Sequence, residues 1–149
     1  MIAAIVSALH VIAVALALSS IALRGRALRR ALDADGFRRL FAADNVWGVS
    51  ALLLIATGVL RAFGGLEKGS AFYLASPLFW TKMALFALVF ALEIRPMVTF
   101  LRWRRQLARG GVPDVARARA LYAITHVEMV LVVVIVFVAA FMARGFGMR

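Results

Sequence analysis

Six ionisable or imidazole side chains stand inside otherwise apolar stretches of this 149-residue chain: His10, Arg61, Lys82, Glu93, His126 and Glu128. Such groups cost about 2.5–3.5 kcal/mol each to place in hydrocarbon, so each is a candidate for function or for a specific partner. An imidazole can ligate iron or act as a base, and an ammonium or guanidinium can hold a carboxylate. His10, Lys82 and Arg61 are the candidate ligand-binding set: His10 and Lys82 are expected to converge on one outward-side cleft with Arg61 near its mouth, and Glu67 and Lys68 of the following loop belong to the same outward-side cluster. Glu93, His126 and Glu128 are candidates for a second cluster nearer the other membrane face.

The elements that position them follow from hydropathy. Ile2 to Leu23, Val46 to Phe63, Pro77 to about Phe100 and Ala120 to Phe141 approach or exceed the ~20 residues that span a bilayer. The chain is 64% hydrophobic, against about 45–50% for soluble domains. The expected fold is all-α, a four-helix transmembrane bundle forming one integral membrane domain over residues 1–149. Its helices are expected at about 2–23, 46–63, 77–108 and 114–143.

The residues between the spans carry the same logic. Leu28 to Phe41 mixes apolar residues with arginines at helical spacing, which predicts a short interfacial amphipathic helix broken near Gly36. Asp44 is the candidate N-cap of the second span, and Trp47 its interfacial anchor. Trp47, Ser50, Thr57 and Arg61 share one helical face. Pro77 suits a first turn, and Pro96 is expected to kink the third span. That helix should continue to about Ala108, turn at Gly110-Gly111 and restart near Asp114.

Charge sets orientation. The net charge is +11. The first connection holds Arg24, Arg26, Arg29, Arg30, Arg38 and Arg39, and the third holds Arg102, Arg104, Arg105, Arg109, Arg117 and Arg119. The Gly64–Ser76 connection holds only Lys68, and the C-terminal tail holds Arg144 and Arg149. The positive-inside rule makes connections one and three cytoplasmic and both termini external, an N-out/C-out protein. The arginines are assigned to topology and to anionic lipid at the cytoplasmic face, with no nucleic acid as partner. The first run has no charged segment before it and is read as a retained helix.

On this topology His10 lies roughly 12 Å below the outer surface and Lys82 roughly 8 Å, at 1.5 Å per residue. His126 and Glu128 lie roughly 9–12 Å above the cytoplasmic end. The two histidines differ by roughly 9 Å in depth, which disfavours one haem held between them. The absence of cysteine excludes disulfides, thiolate metal sites, cysteine catalysis and covalent haem attachment. No protein metal site, P-loop or dinucleotide fingerprint is found.

Some short motifs carry a resemblance. Glu67-Lys68-Gly69, Phe72-Tyr73-Leu74 and Pro77-Leu78-Phe79-Trp80-Thr81-Lys82 resemble an uncharacterised bacterial family of four-helix predicted membrane proteins. So do Ala8-Leu9-His10, Asp44, Trp47-Gly48 and Gly58, so the likeness covers most of the chain. More distantly, His10 in its Ala-Leu-His context, Gly58 and Trp80-x-Lys82 are similar to HemJ-type protoporphyrinogen oxidases and to CopD-like membrane domains. That likeness implies haem or porphyrin as cofactor, with His10 and Lys82 at the positions of the family's histidine and lysine. The chain departs from it in helix two and the inner loops.

Two functional readings compete. One is a non-catalytic accessory subunit of the bacterial inner membrane, packed against a larger membrane complex or a second copy of itself. The other is a haem- or porphyrin-binding protein of HemJ-like type. Whether the chain is an enzyme is open at this point.

Overall fold

The computed structural model describes residues 1–146. Arg149 of the tail lies outside the described residues. Those residues form α1 (Ile2–Leu28), α2 (Ala34–Phe63), the short α3 (Ser70–Ala75), α4 (Pro77–Ala108) and α5 (Ala118–Ala143). The four long helices are each long and apolar enough to cross a membrane, and they form an all-α four-helix bundle. Helix α1 lies between α2 and α5, and α5 lies between α1 and α4.

The buried side of α1 runs through Ala13, Ala17, Ser20, Ile21, Arg24 and Leu28, a three- and four-residue spacing that keeps one face inward. Small residues on that face let α2 and α5 approach closely. Three apolar layers follow along the bundle. Phe37, Leu40, Phe100, Trp103 and Leu121 fill the arginine-rich end. Ala17, Ile21, Trp47, Val89 and Val132 fill the middle. Ala62, Tyr73, Phe79 and Met142 fill the opposite end.

The first connection departs from expectation. Helix α1 runs past Leu23 to Leu28, and α2 already begins at Ala34. Its cap is Asp33, whose Oδ1 accepts the Gly36 N–H at 2.7 Å, not Asp44. Gly36 does not break a helix but permits this tight start, because a Cβ there would lie 2.5 Å from the Ala31 carbonyl oxygen. The segment expected as a separate interfacial helix is therefore the first turns of α2, with Phe37 and Leu40 buried in the core. Trp47 consequently sits deep in α2 and is buried in the middle layer instead of anchoring an interface.

Helix α4 passes through Pro96 without interruption to Ala108. After Gly110, which takes a φ of 73°, the chain does not restart at Asp114. The Asp114 side chain caps a turn through the Ala116 N–H (2.9 Å), and its carbonyl accepts the Trp103 indole N–H (3.1 Å). Helix α5 begins only at Ala118.

Candidate functional site

A cleft of about 600 Å³, counted with its open mouth, lies at the end of the bundle that carries the Gly64–Ser76 connection. His10 from α1, Gly58 and Arg61 from α2, Glu67 and Lys68 from the connection, Tyr73 from α3 and Lys82 from α4 line it. Glu67 organises the mouth. Its Oε1 accepts from Ser7 Oγ (3.0 Å) and Arg61 Nε (2.9 Å), and its Oε2 accepts from the Tyr73 hydroxyl (2.6 Å). Burial raises the Glu67 pKa, but the hydrogen bonds from Tyr73, Ser7 and Arg61 outweigh it, and the net shift is downward. Burial and the bond to Glu67 push the Tyr73 phenol up to about 12. Lys68 Nζ donates to the Ala143 carbonyl (2.8 Å), tying the connection to the end of α5.

Deeper in the cleft, His10 Nδ1 lies 2.7 Å from Thr57 Oγ1, whose hydroxyl donates to the Leu53 carbonyl at 2.5 Å. With the Thr57 proton on the Leu53 carbonyl, the complementary tautomer of His10 carries its hydrogen on Nδ1 and leaves the Nε2 lone pair open. Nε2 makes no hydrogen bond to the described residues. Gly58 faces the same ring, and a Cβ there would reach van der Waals contact with Cε1 at 3.7 Å. Lys82 has no ion-pair partner among the described residues. Its ammonium lies 5.5 Å from the Phe79 ring centroid. The cleft therefore holds three cations, Arg61, Lys68 and Lys82, against the single carboxylate of Glu67.

A second polar cluster is buried at the arginine-rich end. Arg24, with 0% of its side chain exposed, makes two bonds to Glu93 (2.7 and 2.8 Å) and a third to the equally buried Glu128. Asp44 lies 3.7 Å from Arg24 and 3.0 Å from Arg104. The Trp47 and Phe100 rings flank the guanidinium at 5.6 and 5.8 Å. This network joins α1, α2, α4 and α5 at one point, and Arg24 Nε and Glu128 Oε1 have no hydrogen-bond partner among the described residues.

A family model described as "Predicted membrane protein (DUF2214)" matches residues 2–147. The chain belongs to this family. No curated protein and no solved structure matches it. Membership makes the chain a membrane protein, in keeping with its four apolar helices.

The structure brings His10, Arg61, Lys82, Glu67 and Lys68 to one cleft. It does not bring His126 to Glu93 and Glu128. His126 is exposed on α5 and stacks on Tyr122, with ring centroids 6.2 Å apart. The partner of the two glutamates is Arg24, which sequence reasoning had placed in a loop. The signal was present: Arg24 continues the inward face of Ala13, Ala17 and Ile21, and three acids in or beside apolar runs require a cation. Thr57, which orients His10, was legible only as a helix-face residue, and Tyr73, which orients Glu67, only as part of the Phe72-Tyr73-Leu74 motif.

A ligand entering the cleft would meet one imidazole, several cations and the space beside Gly58. His10 Nε2 is the available donor for iron, Lys82 and Arg61 are the available cations for carboxylates, and Gly58 leaves room beside the imidazole. Among the described residues lining the cleft, no second imidazole faces His10.

Proposed function

We propose that this membrane protein binds a hydrophobic ligand bearing carboxylates, of the haem or porphyrin class, in the His10 cleft. The observation that carries the reading is Lys82. It is a cation on a membrane helix with no direct ion-pair partner among the described residues, and it shares the cleft with a histidine whose Nε2 is free. An ammonium in low dielectric is stabilised by an anion, and an apolar ligand with carboxylates supplies both requirements. His10 would hold the iron, with Thr57 fixing its tautomer as hydrogen-bonded partners of ligating histidines do. Lys82 and Arg61 would hold carboxylates. Haem bound there supplies redox chemistry. The chain's own residues orient the ligand and balance its charge.

In this reading the cleft opens on the outer face of a bacterial inner membrane. The arginine-rich connections lie in the cytoplasm against anionic lipid.

Titration of the detergent-purified protein with protoporphyrin IX and with its dimethyl ester, followed by tryptophan fluorescence, tests this. The free acid should bind about tenfold more tightly than the ester, and Lys82→Gln should remove that preference. His10→Ala should weaken haem binding while leaving metal-free porphyrin bound. Equal binding of acid and ester, or none, together with stoichiometric co-purification of a larger membrane assembly, would support the accessory-subunit reading instead.

A further inference from the structure

A second cleft, of about 480 Å³ counted with its open mouth, lies between α1 and α5 at the arginine-rich end. Its rim is Arg26 in the last turn of α1, Arg29 at the cap that follows it, and His126 on α5. All three are exposed, and none makes an ion pair with the described residues. The Arg29 guanidinium lies over the Tyr122 ring at 5.5 Å, and Tyr122 stacks on His126, so one aromatic ring aligns both polar groups. No carboxylate lines the cleft.

Two features point inward. Thr125, 1% exposed, lines the cleft, and its hydroxyl has no hydrogen-bond partner among the described residues. That oxygen is closed off from the cleft, and it is the Thr125 methyl that faces Gly25. Gly25 forms the facing wall. A Cβ there would approach Tyr122 Cε2 at 3.7 Å and Thr125 Cγ2 at 3.8 Å, so the glycine keeps space that any side chain would take.

We propose that this cleft holds a single anionic phospholipid headgroup. Arg26 and Arg29 take the phosphate oxygens as planar multidentate donors, and the His126 ring N–H donates to a remaining oxygen. A lipid is favoured over free phosphate because the inner side of the cleft is apolar. Ile21 and Met129 line it, and Val127 and Val130 stand exposed beside it on α5, where acyl chains would lie. The site is independent of the His10 cleft at the other end. It differs from general attraction to a basic surface in having one stoichiometric occupant.

Native mass spectrometry of the detergent-purified protein with added phosphatidylglycerol or phosphatidylcholine tests the site. One phosphatidylglycerol should be retained in preference to phosphatidylcholine. Arg26→Ala with Arg29→Ala should weaken its retention about tenfold or more. Arg102→Ala with Arg105→Ala removes the same charge from exposed positions outside the cleft and should leave retention unchanged. Equal losses from the two arginine pairs would overturn the proposal in favour of diffuse electrostatics. Displacement of the lipid by millimolar inorganic phosphate would overturn the lipid assignment in favour of a free-phosphate site.

Discussion

Replacing Arg24 with methionine should be among the most destabilising single changes available in the bundle. Methionine keeps much of the length and apolar character of the stem but removes the guanidinium. The Arg24 side chain is 0% exposed, Glu128 is 0% exposed and Glu93 only 13%. Both glutamates would then lose the cation that holds them. Removing one partner of a buried ion pair costs about 3–5 kcal/mol, because an uncompensated charge is left behind. The exposed pair Arg38–Asp35, with side chains 78% and 61% exposed, gives the contrast. Its loss should cost no more than about 1 kcal/mol. The triple variant Arg24→Met, Glu93→Gln, Glu128→Gln should regain most of the loss, because neutral groups replace the stranded carboxylates. Unfolding in mixed micelles with increasing sodium dodecyl sulfate, followed by circular dichroism, measures all three. A cost below about 1 kcal/mol for Arg24→Met, or a triple variant no more stable than the single one, would refute the reasoning.

Three further outcomes follow from the other end and from the charge pattern. The downward shift of Glu67 means the cluster around it contributes stability at neutral pH that is lost as pH falls through the carboxylate range, and Glu67→Gln should flatten that acid limb. The Tyr73 phenol, raised from 10.0 to about 12, contributes stability that is lost as pH rises from about 10 to about 12. Ultraviolet titration of phenolate should therefore show a late step that Tyr73→Phe removes. Reporter fusions at Gly69 and Gly110 should report opposite sides of the membrane, with Gly110 cytoplasmic. A cytoplasmic signal at Gly69 would reverse the orientation.

The four spans and the His10–Arg61–Lys82 set were legible because both depend on simple quantities. Length of apolar sequence fixes a span, and residue count along a helix fixes depth. The helix ends were less legible because two caps compete for the start of α2. Asp33 and Asp44 are both good caps by type, and only the tertiary pairing of Asp44 with Arg104 and Arg24 shows which is used. Arg24 was misread for the same reason. Counting arginines as loop charge works for Arg30 or Arg39, which are exposed, and fails for one that turns inward to meet acids from three other helices. Partners 69 and 104 residues away in sequence leave no local trace. The Thr57–His10 bond, 47 residues apart, is hidden likewise.

The absorption spectrum of the protein purified from membranes, recorded before and after haem addition and again after reduction, tests the central claim most directly. The account predicts a Soret band that saturates at one haem per chain, shifts on reduction and is lost in His10→Ala while the variant keeps its helicity. A protein that gains no Soret band beyond that of haem in the same detergent, or whose band is unchanged in His10→Ala, would contradict the assignment of the cleft.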